Sequence, residues 1–358
     1  MKVAVYSISK NEEQFVERWA ESAKEADMIL LADTGSTDNT VQIAKDLGLT
    51  VVEIEVKPWR FDVARNKSLD AIPQDYDYCI ALDVDEVLKP GWRKELEVMY
   101  HLNITRPRYK YVWSWNKDGS EGLVYGGDKI HARQYYTWKH PVHEVCISTN
   151  KKETQAWCGL EIHHHPDNTK SRGQYLDLLA LSVKEDPHDD RNAHYYAREL
   201  LMYGELDKAK EEFLRHLSLP RAKWKPERSN SMRYISKCVE GDERIEWLFK
   251  AIAEYPEGRE AWVELAMRYY ELEDWHGCYF AAKKATAITE KPLAYFNEAW
   301  AWDGYIYDIG SMAAHYLGQD EDAVLWCEKA LEFSPEDERL LTNLKIMKGV
   351  RDGDLCYR

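Results

Sequence analysis

About the first 100 residues alternate short apolar runs with stretches of helical spacing, and this alternation constrains the fold more than any other feature. Val3–Ile8, Met28–Ala32 and Tyr78–Leu82 are short apolar runs, and a further strand is expected over Val51–Val56. Between the first two, Glu12–Ala26 carries Phe15, Trp19 and Ala23 at helical spacing, and further helices are expected through Leu47 and over Ala64–Leu69. Parallel strands need crossover connections, so strands alternating with helices imply an α/β fold with a parallel, doubly wound sheet. Ligands of such sheets gather at the carboxyl ends of the strands. Three polar clusters fall there: Ser7–Glu12, Asp33–Asp38 with the glycine and hydroxyls of a turn and helix cap, and Asp83-Val84-Asp85-Glu86.

From about residue 170 the pattern is helical throughout, which sets expected domains at 1–170 and 171–358. Arg191–Leu219, Arg259–Ile288 and Tyr305–Phe333 overlay on one another, with Ala209 and Cys278 69 residues apart and Cys278 and Ala323 45 apart. Pro220, Pro256, Pro292 and Pro335 punctuate the array at spacings of 36, 36 and 43, near one helix-turn-helix unit. Tyr203-Gly204-Glu205-Leu206-Asp207-Lys208-Ala209, Tyr316-Leu317-Gly318-Gln319-Asp320-Glu321-Asp322-Ala323 and Ala330-Leu331-Glu332-Phe333-Ser334-Pro335 resemble tetratricopeptide repeats. The resemblance implies an all-α repeat domain whose extended surface serves as a platform for a partner, an acceptor or a second subunit.

Charge and composition weigh against some function classes. At a net charge of −15 the chain repels a phosphate backbone at long range, so nucleic acid is a disfavoured though not excluded partner. No run of 18 apolar residues occurs, so no membrane-spanning helix is expected, and Met1–Tyr6 leads into a strand rather than a secretion signal. Seven scattered cysteines without a C-x-x-C pair read as thiols of a reducing compartment, the cytoplasm. Most of the 14 Trp and 23 Tyr are assigned to packing; Trp59, Trp113, Trp115 and Trp138 lie where an indole could stack on a sugar, although each fits the core better.

Asp83 and Asp85 follow an apolar strand. On a strand, residues two apart point the same way, so both carboxylates are expected to face one hard divalent cation such as Mn²⁺ or Mg²⁺. A lone pair of aspartates is a weak signal; its place at a strand end strengthens it.

Taken with Ser7-Ile8-Ser9-Lys10-Asn11-Glu12, Asp33-Thr34-Gly35-Ser36-Thr37-Asp38 and Phe61-Asp62-Val63-Ala64-Arg65-Asn66, the Leu82–Glu86 stretch makes residues 1–170 resemble the inverting GT-A glycosyltransferases of family 2. The resemblance implies a UDP-sugar donor and a divalent metal that neutralises the diphosphate leaving group. It further implies that Ser7, Glu12 and Asp33 line the uridine pocket, that Arg65 lies near the nucleotide, and that Asp83 and Asp85 hold ribose and metal. A carboxylate at Asp33 accepts the imide N–H of uracil, which cytosine lacks.

Trp138-Lys139-His140-Pro141-Val142-His143-Glu144 resembles the segment that ends in His-Glu beside the sugar in relatives with the same repeats. Inverting transfer needs one general base, so Glu144 is the candidate base and His143 a candidate metal ligand or diphosphate contact. In His163-His164-His165-Pro166, His163 and His165 share a face if the segment is extended, and the resemblance places a histidine here near the diphosphate, so His165 joins the metal candidates. Lys170 and Arg172 are weaker diphosphate candidates. The acceptor is a peptide or protein side chain, as in peptide S-glycosyltransferases of similar architecture, or a surface glycan, a lipopolysaccharide core or a modified nucleobase. A non-catalytic nucleotide-sugar scaffold is disfavoured because Asp83, Asp85 and Glu144 are all present.

Overall fold

A computed structural model describes residues 1–116, 118–150, 152–166 and 175–349. The chain divides into two compact units, Met1–Asp186 with Leu293–Tyr295, and Pro187–Pro292 with Phe296–Arg358.

The first unit runs β1 (Val3–Ser9), α1 (Val16–Ser22), β2 (Met28–Asp33), α2 (Thr40–Asp46), β3 (Thr50–Glu53), α3 (Phe61–Asp70), β4 (Tyr78–Ala81), β5 (Glu86–Leu88), α4 (Trp92–His101), β6 (Arg106–Val112), β7 (Val124–Gly127), β8 (Ile130–Ala132), β9 (Tyr136–Lys139), β10 (Val145–Ser148), β11 (Gln155–His164) and α5 (Tyr175–Glu185). Its main sheet has the order β3-β2-β1-β4-β8; the first four strands are parallel and β8 closes the edge antiparallel to β4. A second sheet, β5-β11-β6-β7, and the hairpin β9-β10 complete the unit.

Three of the apolar runs, β1, β2 and β4, are inner strands because both of their faces are covered, whereas the run expected over Val51–Val56 forms the half-exposed edge strand β3 over Thr50–Glu53. Val3, Val5, Leu31 and Ile80 pack on one side with Trp19 and Trp92, whereas Ala4, Tyr6, Leu30 and Ala81 pack on the other with Trp138. Alternation within a run therefore separates two cores rather than core from solvent. Burying an indole such as Trp19 or Trp92 removes roughly 200 Å² from water, about 5 kcal/mol of gross transfer free energy. The Trp19 indole also donates to the Leu82 carbonyl at 3.0 Å, fixing α1 beneath the end of β4. Helix α1 is shorter than its periodicity predicts: Asn11 is left-handed (φ 55°), and the Glu12 N–H donates to Thr40 Oγ1 at 2.7 Å, so this stretch straps across the start of α2.

The second unit holds nine helices among the described residues: α6 (Asp190–Met202), α7 (Leu206–Ser218), α8 (Lys225–Lys237), α9 (Gly241–Glu254), α10 (Arg259–Glu271), α11 (Trp275–Thr286), α12 (Tyr305–Tyr316), α13 (Asp320–Phe333) and α14 (Glu338–Met347). Consecutive helices pack as hairpins, the helical repeat expected from the sequence. Gly204 and Gly318, at φ 78° and 68°, turn the first and last of the four hairpins, where a Cβ would be strained. Ala209, Cys278 and Ala323 each occupy the fourth position of a hairpin's second helix and are fully buried, so a small side chain there permits close approach. The α8–α9 hairpin lies outside the sequence overlay because Arg244 stands at that position. No helix among the described residues is long and apolar enough to cross a membrane.

Candidate active site

Helix α3 delivers Arg65, 3% exposed, to the carboxyl end of the main sheet. The helix is locked onto β9 by the Asn66 carboxamide, which donates to the Trp138 carbonyl at 2.9 Å and accepts the Trp138 N–H at 2.8 Å. Arg65 lies over the Trp138 ring at 5.3 Å and divides its guanidinium between two carboxylates. Its Nε donates to Glu144 Oε1 at 2.9 Å and its Nη2 meets Asp83 Oδ1 at 2.5 Å. Burial opposes the guanidinium charge, and Asp83 and Glu144 outweigh it, holding the group above its ordinary range. The Nη1 atom is buried without a hydrogen-bond partner among the described residues.

Glu144 follows a turn with two left-handed non-glycine residues, His140 (φ 80°) and His143 (φ 48°), each costing about 1–3 kcal/mol. The Pro141 carbonyl accepts the Phe61 N–H at 2.9 Å, tying this turn to the start of α3. Base candidate and guanidinium thus share one anchored scaffold. The His143 ring meets Tyr175 edge-on at 5.7 Å.

The acidic cluster departs from the strand geometry expected for it. Strand β4 ends at Ala81, and the Glu86 N–H closes a turn onto the Asp83 carbonyl at 2.8 Å. Asp83 and Asp85 therefore do not share a strand face. Asp83 Oδ2 accepts from Lys129 at 2.6 Å, and the same ammonium lies 3.2 Å from Glu86 Oε1. Glu86, 1% exposed, also accepts from the Asp83 N–H at 2.8 Å and from the Tyr111 hydroxyl at 2.5 Å. Burial pushes the Glu86 carboxyl up, whereas at Asp83 burial is overcome by Arg65 and Lys129, which hold it below the usual range. Desolvation opposes the charge on Lys129, and Asp83 and Glu86 override it to keep the ammonium well above its ordinary value.

Asp85 faces elsewhere. Its Oδ2 lies 3.3 Å from His164 Nε2, and the ring's Nδ1 is 2.9 Å from the Trp113 carbonyl, which orients it. Burial opposes a charge on this ring and Asp85 overcomes it, raising its pKa. His165 is joined to Asp85 through the backbone, its N–H donating to the Asp85 carbonyl at 2.9 Å, while its ring stacks on Trp115 at 5.6 Å. Because β11 is extended, His163 and His165 lie on one side with Trp115, and His164 points to the acidic turn. Trp113 stacks on His164 at 4.2 Å, and Trp138 is core, donating to the Tyr6 hydroxyl at 2.8 Å. Lys170 and Arg172 lie outside the described residues.

Near the carboxyl end of β1, Ser7 is fully buried and its hydroxyl donates to the Ile8 carbonyl at 3.0 Å. The Asp33 carboxylate folds its own turn, accepting the N–H groups of Gly35 at 2.9 Å and Ser36 at 3.0 Å together with the Ser36 hydroxyl. Thr40 N–H is capped by Asp38 at 3.0 Å, so capping of α2 does not fall to Asp33. Glu12 lies on the strap that crosses α2.

Of the residues singled out in the sequence, the structure joins Arg65, Asp83 and Glu144 and sets Asp85 apart against His164. Sequence reasoning missed Lys129, which follows Gly126-Gly127-Asp128 without any recognisable pattern, and it favoured the neighbours of His164.

Residues 5–122 match the family model of glycosyl transferase family 2. These residues form a family 2 domain. Over 126 residues the chain is 33% identical to an uncharacterized glycosyltransferase of Rickettsia bellii, covering 30% of this chain and 42% of that protein. A second, from Rickettsia typhi, is 34% identical over 100 residues, covering 28% of this chain and 33% of the relative. The chain thus spans less than half the length of either relative. Among solved structures, YrrB, described as a TPR protein with an unusual peptide-binding site, is 15% identical with a TM-score of 0.40, covering 49% of this chain and 85% of that one. A glucosyl-3-phosphoglycerate synthase from Mycobacterium tuberculosis, in complex with Mn²⁺, UDP-glucose and phosphoglyceric acid, is 24% identical with a TM-score of 0.27, covering 31% of this chain and 44% of that one.

Proposed function

We propose that the family 2 domain transfers a sugar from a UDP-sugar to an acceptor with inversion at the anomeric carbon. The observation that carries this reading is the shared guanidinium of Arg65, which joins Asp83, at the nucleotide end, to Glu144, the base candidate. Glu144 takes the proton of the acceptor hydroxyl or thiol as that atom attacks the anomeric carbon; the bond to the diphosphate oxygen breaks and UDP departs. Arg65 holds the Glu144 carboxylate in place.

A divalent cation fits the residues present. Asp85 Oδ2 and His164 Nε2 offer one carboxylate and one imidazole 3.3 Å apart. That separation is close to the roughly 3 Å between neighbouring ligands of an octahedral ion with bonds of about 2.1 Å. Mn²⁺ or Mg²⁺ bound there supplies Lewis-acid stabilisation of the departing diphosphate. His164 is the imidazole best placed for the role; His165 and His143 remain secondary candidates.

Ser7, Glu12 and Asp33 are assigned to the uridine pocket, where the Asp33 oxygens already accept three donors of their own turn and offer little further capacity to the uracil imide. For the acceptor, a peptide or protein side chain is preferred over a surface glycan, lipopolysaccharide core or nucleobase. The hairpin array offers an extended surface, and a net charge of −15 repels nucleic acid. We assign the cytoplasm as its compartment: the six described cysteines are free thiols, and burial pushes Cys79 and Cys278 up to about 12.

Glu144→Gln tests the chemistry. UDP-sugar affinity should be retained while transfer, read as UDP release in the presence of acceptor extracts, falls by about 10²–10⁴-fold. Full transfer by this variant would remove Glu144 as the base.

A further inference from the structure

The turn Asp83-Val84-Asp85-Glu86 gathers three carboxylates within four residues at the end of a buried strand. An isolated turn of this kind repels itself and presents every oxygen to the first cation available. Lys129, between β7 and β8, prevents this. Its ammonium spans Asp83 Oδ2 at 2.6 Å and Glu86 Oε1 at 3.2 Å, and it reaches neither Asp85 oxygen within ion-pair distance. Glu86 is further tied to the Asp83 N–H and the Tyr111 hydroxyl, and Asp83 Oδ1 is taken by Arg65. Asp85 alone is left facing an imidazole, that of His164.

Formal charges are consistent with this division. Asp83, Asp85, Glu86 and Glu144 carry four negative charges, and Arg65 and Lys129 return two positive ones. The site thus keeps a net negative charge, which favours a cation.

We propose that Lys129 is the resident counter-cation of the acidic turn, holding Asp83 and Glu86 so that a divalent metal is offered Asp85 and His164 alone while the Asp83 carboxylate stays positioned for the nucleotide. This rests on the reading of the turn as a metal and nucleotide-sugar site. Lys129 acts through Asp83 and is a positioning residue. It makes the site selective for one divalent ion rather than two, because Asp83 and Glu86 become ligands only when the ammonium is removed.

The test is Mn²⁺ binding to the full chain, read by the loss of the free-ion EPR signal, together with calorimetric titration of UDP at saturating Mn²⁺. The native protein should take up one Mn²⁺ in the presence of UDP. Lys129→Met should bind Mn²⁺ at least tenfold more tightly without nucleotide, or take up a second equivalent, and bind UDP at least tenfold more weakly. Lys129→Arg should restore one equivalent and most of the UDP affinity. Should Lys129→Met fail to fold, Lys129→Met with Glu86→Gln removes the stranded charge, and UDP affinity is still expected to fall while Mn²⁺ uptake without nucleotide rises. Unchanged Mn²⁺ stoichiometry and affinity in a folded Lys129 variant, with native UDP–Mn²⁺ binding intact, overturns the role of Lys129 alone. If the native protein binds neither UDP nor Mn²⁺, the underlying reading fails and this inference with it.

Discussion

Arg65→Met should destabilise the first unit as well as abolish transfer. The guanidinium is 3% exposed and pairs with both Asp83 and Glu144. Removing one partner of a buried ion pair strands the other charge, typically at a cost of about 3–5 kcal/mol. The Asp83 charge keeps Lys129 as a partner at 2.6 Å, so most of the penalty falls on Glu144 and the lower end of that range, about 3 kcal/mol, is expected. For a unit of this size each kcal/mol lowers Tm by about 2–4 °C, giving a fall of roughly 6–12 °C by calorimetry. Arg65→Lys should recover part of the stability but little transfer, since one ammonium cannot reproduce a fork whose Nε and Nη2 point to different carboxylates. A Tm within 2 °C of native for Arg65→Met would refute the reasoning, because it would mean that water already carries the charges.

Other consequences are open to direct measurement. A Cβ at Gly127 would run into the ring of the buried Tyr109, so Gly127→Ala should lower stability by about 1–3 kcal/mol in urea titration. Burial pulls His131 down to about 4 and His194 to about 3. Each folded-state value lies below the unfolded value of about 6.5, so each ring favours folding fully above that pH and loses its contribution as pH falls, by about 1.4 kcal/mol per unit. His131→Gln should accordingly flatten the pH dependence of unfolding between about 6.5 and 4. Cys79 and Cys278, both buried with thiols pushed up to about 12, should resist Ellman's reagent at pH 8 in the native protein and react once it is unfolded.

Long-range order was legible in the sequence wherever a pattern had one physical cause. The runs that became β1, β2 and β4 are apolar throughout because both of their faces are covered, whereas the third became the half-exposed edge strand β3. The hairpins announced themselves through small residues at one fixed position, Ala209, Cys278 and Ala323, and the α8–α9 pair was hidden where Arg244 breaks that rule. Local geometry at the site was harder to read. Whether Asp83 and Asp85 share a face depends on where β4 stops, and it stops before them, at Ala81. A shift of one residue along β11 exchanges faces, so three consecutive histidines leave the choice among them open until Asp85 is placed beside His164. Lys129 is a lysine like any other until the fold sets it against two carboxylates.

The central claim, that the strand-end site binds a uridine nucleotide together with a divalent ion, is tested most directly by calorimetric titration. UDP, GDP, CDP and UDP-sugars would each be titrated with and without Mn²⁺ into the native protein and into Asp85→Ala. The account predicts that UDP and one UDP-sugar bind to the native protein only with Mn²⁺, that GDP and CDP bind at least tenfold more weakly, and that Asp85→Ala loses the metal dependence while remaining folded. Absence of nucleotide binding under every condition, or metal-dependent binding left intact in Asp85→Ala, would contradict it.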